Sequence, residues 1–423
     1  MTISKKYGTA LDSDNSFPEK PDFGRTWKKN LTMVWIAQFF SQIGFAFGLP
    51  FAPFYMQEMG VTRGNIDFWV ALFGAGTPLT MMLFAPVWGA LADKYGRRKM
   101  LLRSYLGGVL VLGLMGVVHA PVYLILLRLV QGALCGSVSA AQTLVATHTP
   151  EEHSGFALGS LNSAVFSGAL TGAFIGGFAA EYFGYRTAFL ISGFLMLIPF
   201  LLVLFGVHEY FVPLLHSHRG FFSSITPKKR HLALALPLLF LMGTVMFARQ
   251  FDSSFIPLFV QDINGGIDGA SAWTGALQAF CGIAGVLSGF LLGYLADRHP
   301  PGVIAIYSAL ITAGFMFSLT FAHSMFFLFS ARFAMIFASS GLDPALQIWL
   351  CRKTIPQTRG LIFGWAASAR SFGWFMAPLA GGIVTKYLGI RWLFVVGPVF
   401  FILIMFLIMR VMRRFSDFRE EET

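Results

Sequence analysis

The sequence has little charge and little cysteine. Only 12% of its 423 residues are charged, whereas 56% are hydrophobic, and a soluble globular domain carries about 25% charged residues. This composition argues against a soluble enzyme or a soluble binding domain. The three cysteines, Cys135, Cys281 and Cys351, have no metal-binding spacing and give no disulfide framework. We therefore predict no metal site.

The sequence also lacks the short motifs of common enzymes. It contains no phosphate-binding Walker loop, no HExxH zinc motif and no GxSxG nucleophile motif. Most of the histidines lie outside the long apolar runs, so no intramembrane Ser/His arrangement is visible. We predict that the chain is not an enzyme, does not use ATP and needs no cofactor.

Long apolar runs are what the sequence has in abundance. Runs of about 18 or more residues recur, which is enough for a helix to cross a membrane. The runs are continuous rather than alternating, which excludes a β-barrel. We predict an all-α polytopic membrane protein embedded in a lipid bilayer. Its twelve transmembrane spans lie near residues 31–55, 68–92, 99–119, 122–146, 155–180, 185–207, 232–260, 271–296, 302–322, 325–350, 360–386 and 390–411.

The positive charge is distributed unevenly between the two sides of these spans. The net charge is +11, which by itself would also fit a nucleic-acid-binding protein. However, the loops on the side opposite the N-terminus hold only four Lys and Arg residues. This bias follows the positive-inside rule, so we predict a cell (inner) membrane protein with both termini in the cytoplasm and no nucleic-acid partner. The four residues are Arg63, Arg186, Lys386 and Arg391.

The sequence matches itself when it is shifted by 204 residues. FAPFYMQE at 51–58 aligns with FIPLFVQD at 255–262, and GALAD at 89–93 aligns with GYLAD at 293–297. The repeat predicts two parallel six-helix halves with a substrate site between them near the membrane midplane. A chain that contains both halves can function as a monomer. The predicted regions are a tail at 1–27, a bundle at 28–207, a linker at 208–230, a bundle at 231–411 and a tail at 412–423.

The densest cluster of charge is the stretch WGALADKYGRRK at residues 88–99. The positive-inside rule alone explains a basic loop between two spans. The arrangement of glycine, aspartate and arginine is more specific, and it resembles the signature loop of the major facilitator superfamily. The resemblance implies a latch that holds one face of the transporter closed and opens when the halves move. Its candidate residues are Gly89, Asp93, Gly96, Arg97 and Arg98, with a decayed second copy at Gly293 and Asp297.

Two further stretches resemble the same family. LLRLVQG at 126–132 is similar to the family's span-4 motif, an intramembrane Arg followed by Gln-Gly. The span-5 motif of proton-driven exporters is partial, because Ala173 stands at the position where the motif usually has proline, whereas APLAGG at 377–382 in span 11 has the proline.

The closest resemblance is to the twelve-helix drug:H+ antiporters, the bacterial multidrug exporters. It implies export of a small-molecule substrate in exchange for protons by alternating access. The alternative is proton-coupled uptake or export of one metabolite, such as a sugar or an organic anion.

Small residues recur at every fourth position on three spans. Such faces allow helices to approach closely in a membrane. The family resemblance implies that span 5 meets span 8 and span 2 meets span 11 between the halves. The alternative is packing within one half. The residues are Gly168, Gly172 and Gly176 in span 5, Gly285 and Gly289 in span 8, and Gly373, Ala377 and Gly381 in span 11.

Ionisable residues inside spans are costly and are therefore candidate functional residues. Asp252 and Asp343 are the candidate proton-coupling carboxylates, and Arg128 is a further coupling candidate by resemblance. Arg249 lies three residues before Asp252, so the two side chains share a helix face and have the alternative role of neutralising each other. Asp343 precedes a proline, so its alternative role is at a helix kink.

Polar residues inside the spans are candidates for lining the substrate cavity. Four intramembrane arginines against two aspartates leave the membrane region with a formal charge of +2. This charge would repel a lipophilic cation, and it favours anionic, zwitterionic or neutral substrates. The candidate cavity residues are Gln38, Gln42, Arg249, Arg332 and Arg370.

Overall fold

The computed structural model describes residues 26–134, 136–209, 229–298, 300–353 and 359–420. The predicted N-terminal tail and most of the predicted linker lie outside these residues. The described residues form helices joined by short connections, as the long apolar runs predict.

The N-terminal half contains six spans, three of which are divided into two helical segments. A 3-10 turn at Leu49–Phe51 connects the two segments of span 1. The bounds are Thr26–Gly48 and Ala52–Glu58 in span 1, Ile66–Tyr95 in span 2, Arg97–Met115 in span 3, Pro121–Leu134 and Ser137–His148 in span 4, Ser154–Phe183 in span 5, and Tyr185–Leu195 and Leu197–Gly206 in span 6.

The C-terminal half repeats this arrangement. Its span 7 is interrupted by a 3-10 turn at Ser253–Phe255, close to the position at which span 1 is interrupted. The bounds are Lys229–Gln250 and Ile256–Asn264 in span 7, Ala270–Arg298 in span 8, Pro301–Ser318 in span 9, Met325–Ser339 and Leu342–Lys353 in span 10, Arg359–Leu388 in span 11, and Leu393–Glu420 in span 12. The prediction of twelve spans in two halves is confirmed.

Not every span is equally apolar. Within the described residues, 9 helical stretches are long and apolar enough to cross a membrane by length and composition alone. Spans 3, 7 and 11 complete the twelve. They carry charged side chains, such as Arg97 and Arg98 in span 3 and Arg370 in span 11, which lower their mean hydropathy.

Glycine sets two sharp changes of direction. Gly96 separates span 2 from span 3 with φ 93°, and Gly136 interrupts span 4 with φ 124°. Both values lie in the region that favours glycine, because other L-residues place a Cβ atom in contact with the backbone there. Gly96 is part of the predicted signature loop, and its role in this loop includes making the turn.

The small-residue faces pack mainly within each half, which corrects their assignment to the inter-half surface. A Cβ atom at Gly172 would lie 2.6 Å from the carbonyl oxygen of Ile43 in span 1. Gly168 and Gly176 contact span 1 in the same way. In span 11, Gly373 and Gly381 approach the backbone of span 7. Ala377 lies between these two glycines in the sequence and is fully buried. In span 8, the nearest side chain to Gly285 is Ser340, and Gly289 faces open space within the described residues.

The halves meet through the helices that the family resemblance implies. Span 5 contacts span 8, and span 2 contacts span 11. A Cβ atom at Gly177 would lie 3.0 Å from the Cα atom of Gly275, and one at Gly382 would lie 2.6 Å from the Cβ atom of Ala71. These two contacts are equivalent by the repeat, so the repeat predicts the contacts between the halves as well as the helices.

Candidate functional site

The four inter-half helices touch at one end of the bundle and separate at the other. We call the first the Gln57 end, because Gln57 and Gln261 lie there, and the second the Gly96 end. Eighteen residues, or five helical turns of about 27 Å in total, lead from three of the four contact residues to a glycine on the same face at the Gly96 end. At these glycines a Cβ atom would meet no described heavy atom within 4 Å. A cleft between the halves is therefore open at the Gly96 end. The pairs are Ala71 with Gly89, Gly177 with Gly159, and Gly382 with Gly364.

The contact at the Gln57 end is centred on one pair of repeat-equivalent residues. Gln57 Nε2 donates to Gln261 Oε1 at 2.9 Å, and Gln261 Nε2 donates to Gln57 Oε1 at 3.0 Å. Such a reciprocal pair places both residues on the pseudo-twofold axis. Arg63 also forms an ion pair with Asp262 across the halves. The Tyr185 hydroxyl lies 3.0 Å from the Ser271 hydroxyl and adds a further inter-half bond.

An ionic cluster lies in the C-terminal half, where span 10 is interrupted. Asp343 begins the second segment of span 10, and its Oδ2 accepts from Arg370 Nη1 at 3.1 Å and from Gln347 Nε2 at 2.8 Å. The side chains of Arg370 and Asp343 are 27% and 25% exposed, so both are accessible. Arg249 of span 7 interacts electrostatically with the same carboxylate. We call Asp343, Arg370, Gln347 and Arg249 the Asp343 cluster.

A second ion pair in the same half is sealed. Asp252 follows the first segment of span 7 and is paired with Arg332 of span 10. The side chain of Asp252 is 0% exposed and that of Arg332 is 7% exposed. The other carboxylate oxygen, Oδ1, has no hydrogen-bond partner among the described residues. A sealed carboxylate cannot exchange protons with water until the surrounding helices move.

These contacts correct the pairing that helix spacing alone suggests. Arg249 and Asp252 share a helix face but belong to different ion clusters, so they do not neutralise each other. Arg332, a candidate cavity residue, is buried and paired with Asp252. Asp343 is bound by another span as well as by Gln347, so its contacts exceed those of a local helix kink.

The repeat equivalent of Arg332 in the N-terminal half, Arg128, has a different environment. Arg128 is buried, and its Nε donates to the Phe73 carbonyl oxygen at 3.1 Å. Its Nη1 donates to Gln131 Oε1 at 2.7 Å, and its guanidinium lies 4.6 Å from the centre of the Phe73 ring. These contacts fix span 4 against span 2.

In the N-terminal half, spans 1 and 5 carry neutral polar groups. Trp35 Nε1 donates to the Ser163 hydroxyl at 3.3 Å. Gln38 is buried, and its Nε2 donates to the Ser137 carbonyl oxygen at 2.9 Å. Gln42 packs with its Cβ atom next to Gly168 of span 5. The two predicted glutamines therefore bind or contact different helices, and Gln42 is the more exposed of the two.

The signature loop is held by a residue that the sequence analysis did not identify. The backbone N–H groups of Arg97 and Arg98 each donate to one carboxylate oxygen of Glu209 at 2.8 Å. Arg98 Nη2 also donates to the Leu204 carbonyl oxygen at the end of span 6. Gly89, a candidate residue of the latch, has no described heavy atom within 4 Å of the place where a Cβ atom would lie. The side chains of Asp93 and Asp297 and the surroundings of Gly293 lie outside the described residues.

Three residues absent from the sequence predictions have a signal in the sequence. Gln57 and Gln261 occupy the same position in the two repeats, and each directly precedes an acidic residue. Gln347 lies four residues after Asp343, which is the spacing of neighbours on a helix face. Glu209 gave no signal, because the contact depends on how the end of span 6 is placed beside span 3.

The chain matches known proteins over most of its length. Residues 34–322 and 271–422 match the family model described as Major Facilitator Superfamily. A multidrug resistance protein MdtG of Klebsiella pneumoniae is 35% identical over 375 residues, which cover 88% of this chain and 90% of that protein. An MdtG protein of Salmonella dublin is 32% identical over 371 residues, which cover 88% of this chain and 92% of that protein.

Solved structures with low sequence identity share the fold. The human organic anion transporter MFSD10 (TETRAN) has a TM-score of 0.69 at 16% identity, with 90% of this chain and 99% of that chain covered. A mutant of the nucleoside transporter NupG has a TM-score of 0.73 at 12% identity, with 90% of this chain and 99% of that chain covered. These similarities concern the architecture alone.

Proposed function

The chain belongs to the major facilitator superfamily, and we propose that it exports small organic compounds in exchange for protons. Members of this family are transporters and not enzymes, and the chain is a multi-pass membrane protein. The multidrug resistance proteins that it resembles at 35% identity support drug export. The observation that carries the proton-coupling proposal is the accessible Asp343 cluster.

Alternating access follows from the cleft between the halves. The contacts at the Gln57 end close one side, and the separated helices leave the Gly96 end open. Closing the Gly96 end while the Gln57 contacts break would expose the same central site to the other side. The positive-inside distribution supports a cytoplasmic Gly96 end, with both termini in the cytoplasm of a cell (inner) membrane protein. The open cleft then faces the cytoplasm, and one chain suffices for transport.

Asp343 is the better candidate of the two carboxylates for the coupling proton. Its side chain is 25% exposed, whereas that of Asp252 is 0% exposed and paired with Arg332. A coupling carboxylate must exchange protons with the open side of the transporter. In this scheme Asp343 binds the proton, and Arg370 and Gln347 hold its carboxylate when the proton has left. The pair of Asp252 and Arg332 holds span 7 against span 10.

The cluster also constrains the substrate. Exchange requires that the proton and the substrate bind in alternation, so each must weaken the binding of the other. A neutral or zwitterionic compound that donates a hydrogen bond or an ammonium group to Asp343 meets this requirement. The neutral groups around Trp35 and Ser163 on the opposite half suit the uncharged part of such a compound.

The two arginines of the cluster favour one alternative function. An anion that binds Arg370 displaces the Asp343 carboxylate from its ion pair, and a proton on that carboxylate would offset the negative charge that the anion brings. Proton and anion would then bind together, which gives transport of both in the same direction. An anionic metabolite would therefore be a substrate for symport rather than for exchange.

The direction of proton movement separates these functions. Single compounds are added to inverted membrane vesicles that contain the protein and a pH probe in the lumen. No pH gradient is imposed before the addition. We expect an exchanged compound to make the lumen more alkaline, and a co-transported anion would make it more acidic. Asp343→Asn should abolish proton movement in both cases. Asp268→Asn, which alters an exposed carboxylate in a loop at the Gln57 end, is the matched control and should transport as the wild type does.

The proposal has a clear contrary result. If Asp343→Asn protein still moves protons when a compound is added, Asp343 is not the coupling site. If no compound from a panel of cationic, neutral, zwitterionic and anionic drugs moves protons in the wild type, proton-coupled drug export is wrong.

A further inference from the structure

An apolar groove lies on the C-terminal half, and none of its described lining residues belongs to the Asp343 cluster. It has a volume of about 600 Å³ and lies between the end of span 8, span 9 and span 10. The lining side chains include Leu295, Tyr307, Ile311, Phe315, Phe333 and Phe337.

The internal repeat shows how the helix packing around this groove differs between the two halves. In the N-terminal half, span 4 packs directly on span 2 at two glycines. A Cβ atom at Gly132 would overlap the backbone of Thr77, and one at Gly76 would lie 3.1 Å from the Cβ atom of Arg128. A Cβ atom at Gly132 does not fit unless a helix moves, and one at Gly76 would make a contact tighter than most Cβ atoms make.

The C-terminal half has large side chains at the same two positions. A shift of 204 residues places Phe280 at Gly76 and Ile336 at Gly132. The ring centre of Phe280 lies 4.7 Å from that of Phe333. These side chains keep span 10 from approaching span 8 as closely as span 4 approaches span 2, and the space beside them becomes the groove.

The surroundings of the groove identify its occupant. Its walls on spans 9 and 10 belong to stretches that are long and apolar enough to cross a membrane. Tyr307, Ile311 and Phe315 on its edge are 62%, 47% and 40% exposed, so the groove is continuous with the apolar surface that faces the bilayer. Protein interiors tolerate few voids larger than a water molecule, and a groove of this volume in the hydrocarbon region is filled by what surrounds it.

The shape and the lining favour a hydrocarbon chain over a drug-like compound. Along span 9 the lining extends from Val303 to Phe315, which is about 18 Å at 1.5 Å per residue. Among its described lining side chains, only Tyr307 and Ser308 have polar atoms, whereas ligand sites for small molecules place several polar groups around the ligand. We propose that an acyl chain of a membrane phospholipid occupies this groove and fills the space that direct helix contact fills in the N-terminal half.

The physical basis of this binding is contact rather than transfer out of water. An acyl chain is already in an apolar medium in the bilayer, so the hydrophobic effect does not favour the groove. The chain gains dispersion contacts with a preformed surface, and each of these is small. We therefore expect rapid exchange with bulk lipid and an enrichment of several-fold, which calls for a covalent readout.

Photo-crosslinking from a labelled lipid tests the proposal. The full chain is reconstituted in phosphatidylethanolamine and phosphatidylglycerol vesicles that contain a phospholipid with a diazirine in its acyl chain. After illumination, mass spectrometry locates the modified residues. We expect residues 303–315 and 333–338 to be labelled several-fold more than the repeat-equivalent residues 99–111 and 129–134. Equal labelling of the two sets would overturn the proposal.

Filling the groove provides the matched comparison. Ala334→Trp adds a large side chain to the groove wall, and Ala334→Phe is a milder version. Val130→Trp adds the same side chain at the repeat-equivalent surface position, where Val130 is 46% exposed. The two groove variants should lose the excess labelling in proportion to size, while Val130→Trp should keep it. Undiminished labelling in a folded Ala334→Phe or Ala334→Trp protein contradicts the proposal.

A competition experiment distinguishes a lipid chain from a transported compound. The labelling is repeated with an excess of a compound that the protein transports. We expect no change, because the described lining of the groove shares no residue with the Asp343 cluster. A loss of groove labelling would overturn the lipid assignment. This inference does not depend on proton coupling, so it stands or fails separately from the proposed function.

Discussion

The two halves of the molecule share a repeat, but they stabilise their equivalent arginines by different means. Arg128 in the N-terminal half binds a carbonyl oxygen, an amide oxygen and an aromatic ring. Arg332 in the C-terminal half is paired with the buried carboxylate of Asp252. The equivalent of Asp252 is Gly48, so the N-terminal half has no side chain at that position. The repeat thus preserves the positions of the helices, while single substitutions decide the chemistry at each position.

The same contrast extends to the proposed proton-coupling site. The Asp343 cluster is built entirely from the C-terminal half, and its equivalents in the N-terminal half include Ser139 for Asp343 and Val165 for Arg370. Spans 1 and 5 of the N-terminal half offer neutral groups such as Trp35 and Ser163. One half therefore holds the ionisable groups of the proposed proton-coupling site, and the other offers neutral polar groups.

The largest expected effect comes from breaking the buried pair. Arg332→Met leaves the Asp252 carboxylate buried without its partner, which typically costs about 3–5 kcal/mol. We expect a large fall in the Tm of the purified protein in detergent. The repeat-equivalent Arg128→Met loses hydrogen bonds and should cost less, about 1–3 kcal/mol.

A double variant sharpens this comparison. Asp252→Leu combined with Arg332→Met removes both charges, and replacing a buried pair by apolar residues is often neutral. We expect the double variant to recover most of the lost Tm. If Arg128→Met lowers the Tm as much as Arg332→Met does, the two halves do not differ in how they stabilise their equivalent arginines, and the comparison is wrong.

An intermediate effect is expected where the halves meet. Gln57→Leu removes both hydrogen bonds of the reciprocal pair, and each contributes about 0.5–1.5 kcal/mol. The closed state of the Gln57 end should become less populated. Spin labels at the exposed positions Glu58 and Asp268 would report longer distances in a larger fraction of molecules.

The reciprocity of this pair gives a matched control. Gln261→Leu should shift the distances as Gln57→Leu does, and the double variant should shift them no further, because both bonds are already lost in each single variant. Additive shifts would show that the two amides act independently and would contradict the pairing on the axis.

The smallest effect is expected at the signature loop, which only the N-terminal half retains in full. Glu209→Gln weakens the bonds to the backbone of Arg97 and Arg98 at the beginning of span 3. A carboxylate at a helix N-terminus contributes about 0.3–1 kcal/mol, and up to about 2 kcal/mol when it is partly buried. The Tm should fall slightly. Glu152→Gln removes the same charge from an exposed position at the Gly96 end, and it should leave the Tm unchanged. An equal fall in the Tm would mean that the lost charge alone, and not the contact with span 3, explains the effect of Glu209→Gln.

The sequence predicted the architecture because the evidence for it is local or periodic. Twelve apolar runs, a repeat with a shift of 204 residues and a motif such as WGALADKYGRRK are each read along the chain. The pairing of span 5 with span 8 and of span 2 with span 11 followed from the family resemblance. The boundaries of the tails and the linker and the roles of the candidate residues stay predictions.

The sequence by itself therefore determined the helices, the two halves and the family to which the chain belongs. The tertiary structure decided which charges neutralise each other, which glycines face another helix and which carboxylate is accessible. Helix periodicity relates residues three or four positions apart, but Asp252 and Arg332 are 80 residues apart, and Asp343 and Arg370 are 27 residues apart. Such pairs depend on the relative rotation of neighbouring helices, which packing of the whole bundle sets and no single segment encodes.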